Sequence, residues 1–444
     1  MTGLLLPADA SESTRIEVDD AGERRVLWLR TADVCVGVVP SLGGRVLSLV
    51  TRAGEHLFRN PELLDDAVHE TPRATGLGQA RDRALGSWIN WGGDKTWPAP
   101  QGWSGPGEWA GPPDPVLDGG PYDASWSLED GCARVDMLSP DDERTGLRVG
   151  RRVEVAPGSS GYRLTSTFTN VGDREISWAI WQVVQLPGSE APAQVRPDTR
   201  RGIWVGTETG AGEREPGEPV VHLIAGTADL QVDRGRPPVA WVPPQDVVGK
   251  VGFPSASGWV AHVAADRVTA LRFDPDRAGR YPDRESRVEV WLEHPLEEPL
   301  PHLGGLQPRH RVAECEVLGP LRTMAPGASA RLVTHVTGCS GKGPVQDVTA
   351  GACVLQPMVA TSGPSGLRLT GRLGVFSTGN VTICFEGGER AQLGEVALGR
   401  AMAGTRFDIS WESRAPRSTV CAVVCLDKVE VARARLVALC EERR

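Results

Sequence analysis

Lysine is almost missing from this chain. Of 48 basic residues among 444, only Lys95, Lys250, Lys342 and Lys428 are lysines. Where arginine is the habit, each compact ammonium asks for a local reason. Positive charge is short altogether, with a net of −9, and no basic face stands out for a phosphate backbone, so a nucleic-acid partner is disfavoured. No apolar run approaches the roughly 20 residues that span a bilayer, and the opening MTGLLLPADASEST has no basic n-region. Neither a membrane partner nor a secretory leader is expected. The nine cysteines lack CxxC or metal-type spacing, which points to reduced thiols and a cytoplasmic location. Histidine is sparse and forms no HxH or HExxH pair, so no metal is expected. GxSxG, the P-loop and a strand-to-helix GxGxxG are missing as well, which leaves no support for serine-hydrolase, nucleotide or dinucleotide chemistry and no expected cofactor.

What is present is a long series of short alternating or β-branched runs. RRVLWLR, ADVCVGVVP, GRVLSLV, LRVGRRVEVA, YRLTSTFTN, SRVEVWLEH, RVAECEVLG and SARLVTHVTG are bounded by turn residues, and long helical periodicity is nearly absent. With 53 glycines and 35 prolines, the pattern predicts an all-β protein built of antiparallel sheets. The polar stretch GCSGKGPVQ resembles a linker, which divides the chain into residues 1–340 and a smaller C-terminal β-domain, residues 347–444. VARARLVALCEERR is a closing strand or terminal helix in this scheme.

Between about Glu70 and Trp126 the strand signal fades, and this is where a long binding loop is expected. Six of the 14 tryptophans fall between Trp88 and Trp126, in and around WINWGGDKTWPAPQGW. Indole faces stack on sugar C–H faces while polar side chains take the hydroxyls. Trp97 and Trp109 supply the first, and Asn90, Asp94, Lys95, Gln101 and Asp118 the second. The competing reading is that the indoles pack the loop onto the sheets. For Lys95 it is a salt bridge, with Asp94 or another acid, that braces the loop.

In HRVAECEVLGPL, a strand would put Glu314 and Glu316 on one face, about 7 Å apart. Repulsion between them would raise one pKa, as proton transfer requires, unless that face is simply solvated. The spacing also suits the roughly 6.5–9.5 Å carboxyl separation of inverting glycosidases.

PSLGGRVLSL, NWGGDKTWPAPQGW with PPDPVLDGGPY, FTNVGDREISWAIWQVVQL and AECEVLGPLRTMAPGASARL, in that order, resemble an uncharacterised bacterial family of the galactose mutarotase-like (aldose 1-epimerase-like) superfamily, over residues 15–340. The resemblance implies a large antiparallel β-supersandwich whose concave sheet binds a carbohydrate. It also implies a strand-borne glutamate that takes the anomeric hydroxyl proton while a histidine protonates the ring oxygen. By position the glutamate is Glu314, with Glu316 as the other candidate, and Arg45 of PSLGGRVLSL joins the substrate-binding set. Where mutarotases carry the histidine, this chain has Trp181 and Gln182, and glutamine cannot serve as a general acid. His294, Lys95 and Asp94 are the candidate replacements. The expected function is a carbohydrate-active isomerase or epimerase. The alternatives are a sugar-binding or sensing protein without catalysis, with the C-terminal β-domain as a partner or homodimer interface, and a two-carboxylate glycoside hydrolase or lyase.

Overall fold

A computed structural model describes residues 13–74, 84–102, 107–189, 200–208, 217–226, 229–233, 238–416 and 418–436. The opening segment up to residue 12, Trp103 and the tail from residue 437 lie outside them. The alternating runs become strands where their turn residues end them: ADVCVGVVP yields Val34–Val39, GRVLSLV yields Arg45–Thr51, RVAECEVLG yields Val312–Leu318 and SARLVTHVTG yields Ser329–Ser340. Helix among the described residues is confined to single turns such as Pro282–Glu285.

The strands assemble into four antiparallel sheets. The centre of the first, twelve-stranded, runs Arg45–Thr51, Asp94–Ala99, Ile176–Pro187, Val312–Leu318, Val288–Glu293, Val247–Phe253. A nine-stranded sheet, centred on Arg267–Phe273, Ser329–Ser340, Gly161–Asn170 and Leu147–Val155, packs against it. Val36, Leu49 and Val184 of the first share one continuous core with Val149, Phe168, Leu271 and Val336 of the second. Polar groups trapped between the layers are paired, as burial demands. The His56 ring bonds Thr51 Oγ1 at 2.8 Å and Thr269 Oγ1 at 2.9 Å, and the Thr96 and Ser166 hydroxyls meet at 3.0 Å.

The described residues between 347 and 436 form two four-stranded sheets around a core that includes Leu369, Ile383, Phe385 and Val424. The expected linker is not a free tether. Val345 is fully buried in a cluster that joins Trp204, Val268 and Cys339 to Val348, Cys353 and Phe376. At this seam the Cys339 and Cys353 thiols touch at 3.8 Å. The last described element is the strand Val429–Arg435, one of the two forms expected for the C-terminal run.

The tryptophan-rich stretch departs from the loop expected of it. Its centre is not loop but a fully buried strand, Asp94–Ala99, paired along its length with Ile176–Pro187. Gly92 and Gly93 launch it at φ 94° and 77°. A Cβ on either would meet a backbone carbonyl, of Phe58 or Val46, at 2.3 Å, so only glycine allows this entry.

Candidate functional site

Strand alternation sends the residues of Asp94–Ala99 to opposite faces. Asp94 points between the sheets. Its Oδ1 accepts from Arg151 Nη2 at 2.6 Å, and its Oδ2 from the Tyr162 hydroxyl at 2.6 Å and from Gln182 Nε2 at 2.7 Å. Asp94, Arg151 and Gln182 are essentially inaccessible to solvent. Asp94 and Gln182, expected at the substrate, thus form an inter-sheet polar lock instead.

Lys95 points the other way, onto the face turned from the second sheet. Three registered rows of side chains cross that face. Lys95, Val183, Glu316 and Glu289 are successive cross-strand partners, as are Gln185, Glu314, Trp291 and Lys250, while Trp97 pairs with Trp181. Lys95 Nζ reaches Glu314 Oε1 at 3.2 Å, and Gln185 Nε2 donates to the same oxygen at 2.7 Å. The ammonium also lies 4.7 Å from the Trp97 ring centroid and 5.5 Å from that of Trp88. Between two indole faces and a carboxylate, a compact cation fits where a guanidinium fork does not. Burial pushes the Lys95 pKa down, Glu314 opposes this, and the Arg45 charge adds to it.

Most of the tryptophans are structural. Trp97 contacts Trp88, Trp109 and Trp181 at ring separations of 6.0, 5.1 and 5.5 Å. Asp118 takes the Trp97 N–H on Oδ1 at 3.1 Å and the Trp88 N–H on Oδ2 at 2.8 Å, and its Oδ1 also pairs with Arg45. Arg45 is fully buried and donates to Gly92 O at 3.1 Å. Arg45, Asp118 and Trp109, whose N–H goes to Asp114 at 2.8 Å, therefore brace the Lys95 strand rather than meet a ligand. Gln101 is exposed beyond the end of the strand.

Glu316 shares the face with Glu314 but is completely enclosed. It accepts the Trp181 N–H at 2.7 Å and lies 3.5 Å from Lys250 Nζ, which also holds Glu289 at 2.7 Å. Its pKa is pushed up to about 8 by burial, against the pull of Lys250 and with the charges of Glu289 and Glu314 adding. Burial likewise raises Glu289. With no open side, Glu316 cannot act as the second carboxylate of a glycosidase pair. His294 directly follows Glu293 at the end of its strand, and after burial the charges that act on its ring are Asp246 and Arg311.

Glu293 was not among the expected residues. It follows Glu289 and Trp291 at period two on Val288–Glu293, so it shares their face, and its Oε1 accepts the Trp291 N–H at 2.9 Å. Although partly exposed, its carboxyl is pushed up to about 7, first by burial and then by Glu314. It lines a cavity of about 370 Å³ with Trp88, Asn90, Phe58, Gln307 and His310. The alternation in SRVEVWLEH carried this signal, as it did for Glu314. For Lys250 the only signal in the sequence is the rarity of lysine.

Two sheets packed into a large antiparallel β-sandwich, with a charged row on one outer face, define the class of protein. The chain belongs to the family described as Domain of unknown function (DUF4380), whose model matches residues 25–334. No curated protein matches it in sequence. Among solved structures it is similar to a TPR-domain containing protein from Parabacteroides distasonis (14% identity, TM-score 0.48), covering 74% of this chain but only 49% of that one. It is also similar to a galactose mutarotase-like protein from Clostridium acetobutylicum (9% identity, TM-score 0.43, covering 74% and 99% of the two chains). A galactose mutarotase-like protein from Lactobacillus casei is a further match (11% identity, TM-score 0.41, covering 70% and 99%). Among the described residues no helix is long and apolar enough to cross a membrane.

Proposed function

We propose that this chain is a cytoplasmic carbohydrate-active isomerase of the mutarotase or epimerase type, with Glu314 as base and Glu293 as acid. The observation that carries the reading is the pairing of two unlike carboxyls. Glu314 is anchored on Oε1 by one cation, Lys95, and one neutral amide donor, Gln185, and no protein donor among the described residues meets its Oε2. Glu293 is partly exposed beside a cavity, and burial followed by the Glu314 charge pushes its carboxyl up to about 7. Ring opening needs a carboxylate that accepts one proton and a carboxyl that gives another. Glu314 takes the anomeric hydroxyl proton while Glu293 gives its proton to the ring oxygen, and the C1–O bond breaks to an open-chain aldehyde. Rotation and the reverse transfers close the other anomer. The motif order quoted above supports the sugar as substrate, and Glu293 fills the role for which Gln182 is chemically unfit.

The test is NMR saturation transfer between anomers across a panel of free aldoses and uronates. Acceleration by the native chain that disappears in Glu314→Gln and in Glu293→Gln supports the proposal. Tryptophan fluorescence that reports sugar binding with no acceleration of any sugar would reject it in favour of a binding or sensing protein.

A further inference from the structure

The outer face of the nine-stranded sheet carries a second polar row, on the opposite side of the molecule's core from Glu314. Glu154, Arg163, His335 and Arg272 are successive cross-strand partners on Leu147–Val155, Gly161–Asn170, Ser329–Ser340 and Arg267–Phe273. Directly opposed residues hold their Cβ atoms about 4.5–5.5 Å apart, so three basic side chains crowd one face. They line a cavity of about 400 Å³ walled on its other side by Thr349, Phe376 and Ser377 from the C-terminal part. Backbone bonds fix that wall: Ser160 N donates to Phe376 O at 2.9 Å, and Thr378 N to Gly158 O at 2.7 Å. Arg163 is balanced by Glu154, the sole carboxylate among the described residues that line the cavity, which Arg134 also meets at 3.3 Å. Among the described residues no carboxylate pairs with Arg272, and the His335 ring has no hydrogen-bond partner.

We infer that this cavity is an anion-binding site that takes the phosphate or sulfate group of a small ligand, with Arg272 and Arg163 flanking the anion and His335 between them. Forked guanidinium donors match a tetrahedral oxyanion, and a half-enclosed site strengthens each bond. His335 makes the site pH-sensitive. The charged groups facing it are Arg272 and Arg163 on the two adjoining strands and Glu154, with Arg134, beyond Arg163, while the wall residues Thr349, Ala350, Phe376 and Ser377 are uncharged. Burial and the two arginines push its pKa down to about 4. A bound anion reverses that field, so binding takes up as much as one proton.

The experiment is titration calorimetry of the full chain with sodium sulfate, which keeps its charge between pH 5 and 8, and then with inorganic phosphate, a sugar phosphate and a sulfated sugar. Sulfate is expected to bind the native chain and to bind Arg272→Gln at least about tenfold more weakly. Its affinity should rise as pH falls from 7 to 5, by no more than about tenfold per unit for one proton, and His335→Asn should flatten that rise. Tighter binding of the sugar phosphate than of the sulfated sugar assigns a phosphate ester as the ligand class, and the reverse a sulfate ester. The proposal fails if neither inorganic anion binds the native chain, or if Arg272→Gln binds them equally well. Should that variant not fold, an unchanged pH slope in His335→Asn overturns the proposal alone.

Discussion

Lys95 Nζ lies 3.2 Å from Glu314 Oε1 although the strands that carry them are not neighbours. The strand Ile176–Pro187 runs between, and the small side chain of Val183, registered with Lys95 on one side and Glu316 on the other, leaves the lysine room to cross it. Lys95→Met keeps the stem and removes the charge, which strands a buried carboxylate. A loss of about 3–5 kcal/mol is expected from urea midpoints at pH 8.

Under the proposed reaction, Glu293 should set the pH profile. As an acid pushed up to about 7, it is competent below that value, so kcat/KM should fall as pH rises through it. Glu293→Gln should lower kcat about 10²–10⁴-fold and abolish that alkaline limb. Retention of the limb in the variant would assign it to another group.

Asp94 and Gln182 should behave as parts of the frame. Gln182→Met removes one of the donors to Asp94 and should lower stability by about 1–3 kcal/mol while leaving the KM for any sugar unchanged. A raised KM with native stability would return Gln182 to the substrate.

Two sets of buried groups give stability opposite slopes with pH. His56 and His262 are pushed down to about 3 and about 4 by burial, with Arg267 adding, from an ordinary 6.5. The unfolded chain protonates them first, so stability is lost as pH falls from 6.5 through these values. Glu316, pushed up by burial from 4.5 to about 8, keeps its proton in the folded chain long after the unfolded chain has released it, so its contribution falls as pH rises across that window. The urea midpoint should therefore peak near about pH 6.5. Glu316→Gln should flatten the alkaline side and His56→Gln the acid side.

The all-β architecture was legible because alternation and turn residues are local, and LRVGRRVEVA or SARLVTHVTG name their strands unaided. DKTWPA hid its strand behind Gly92, Gly93 and Pro98. Proline is tolerated there because only Asp94 pairs with Arg45–Thr51, so further along that edge no ladder asks for the missing N–H. Glu314 could be found from its own strand. That Glu293 and Lys250 stand beside it depends on the strand order 312, 288, 247 across the sheet, an arrangement that no local pattern encodes. The same limit misplaced Asp94: neighbours in sequence on a strand are strangers in space.

The buried seam around Val345, Cys339 and Phe376 also bears on how the chain can be cut. A protein ended at the apparent linker would keep every residue of the family match yet bare the oily surface of Val268, Trp204 and Cys339 that the later sheets now cover. Such a fragment is expected to aggregate rather than to stand as a minimal domain, since it would lose the cover that Val348, Cys353 and Phe376 give its core.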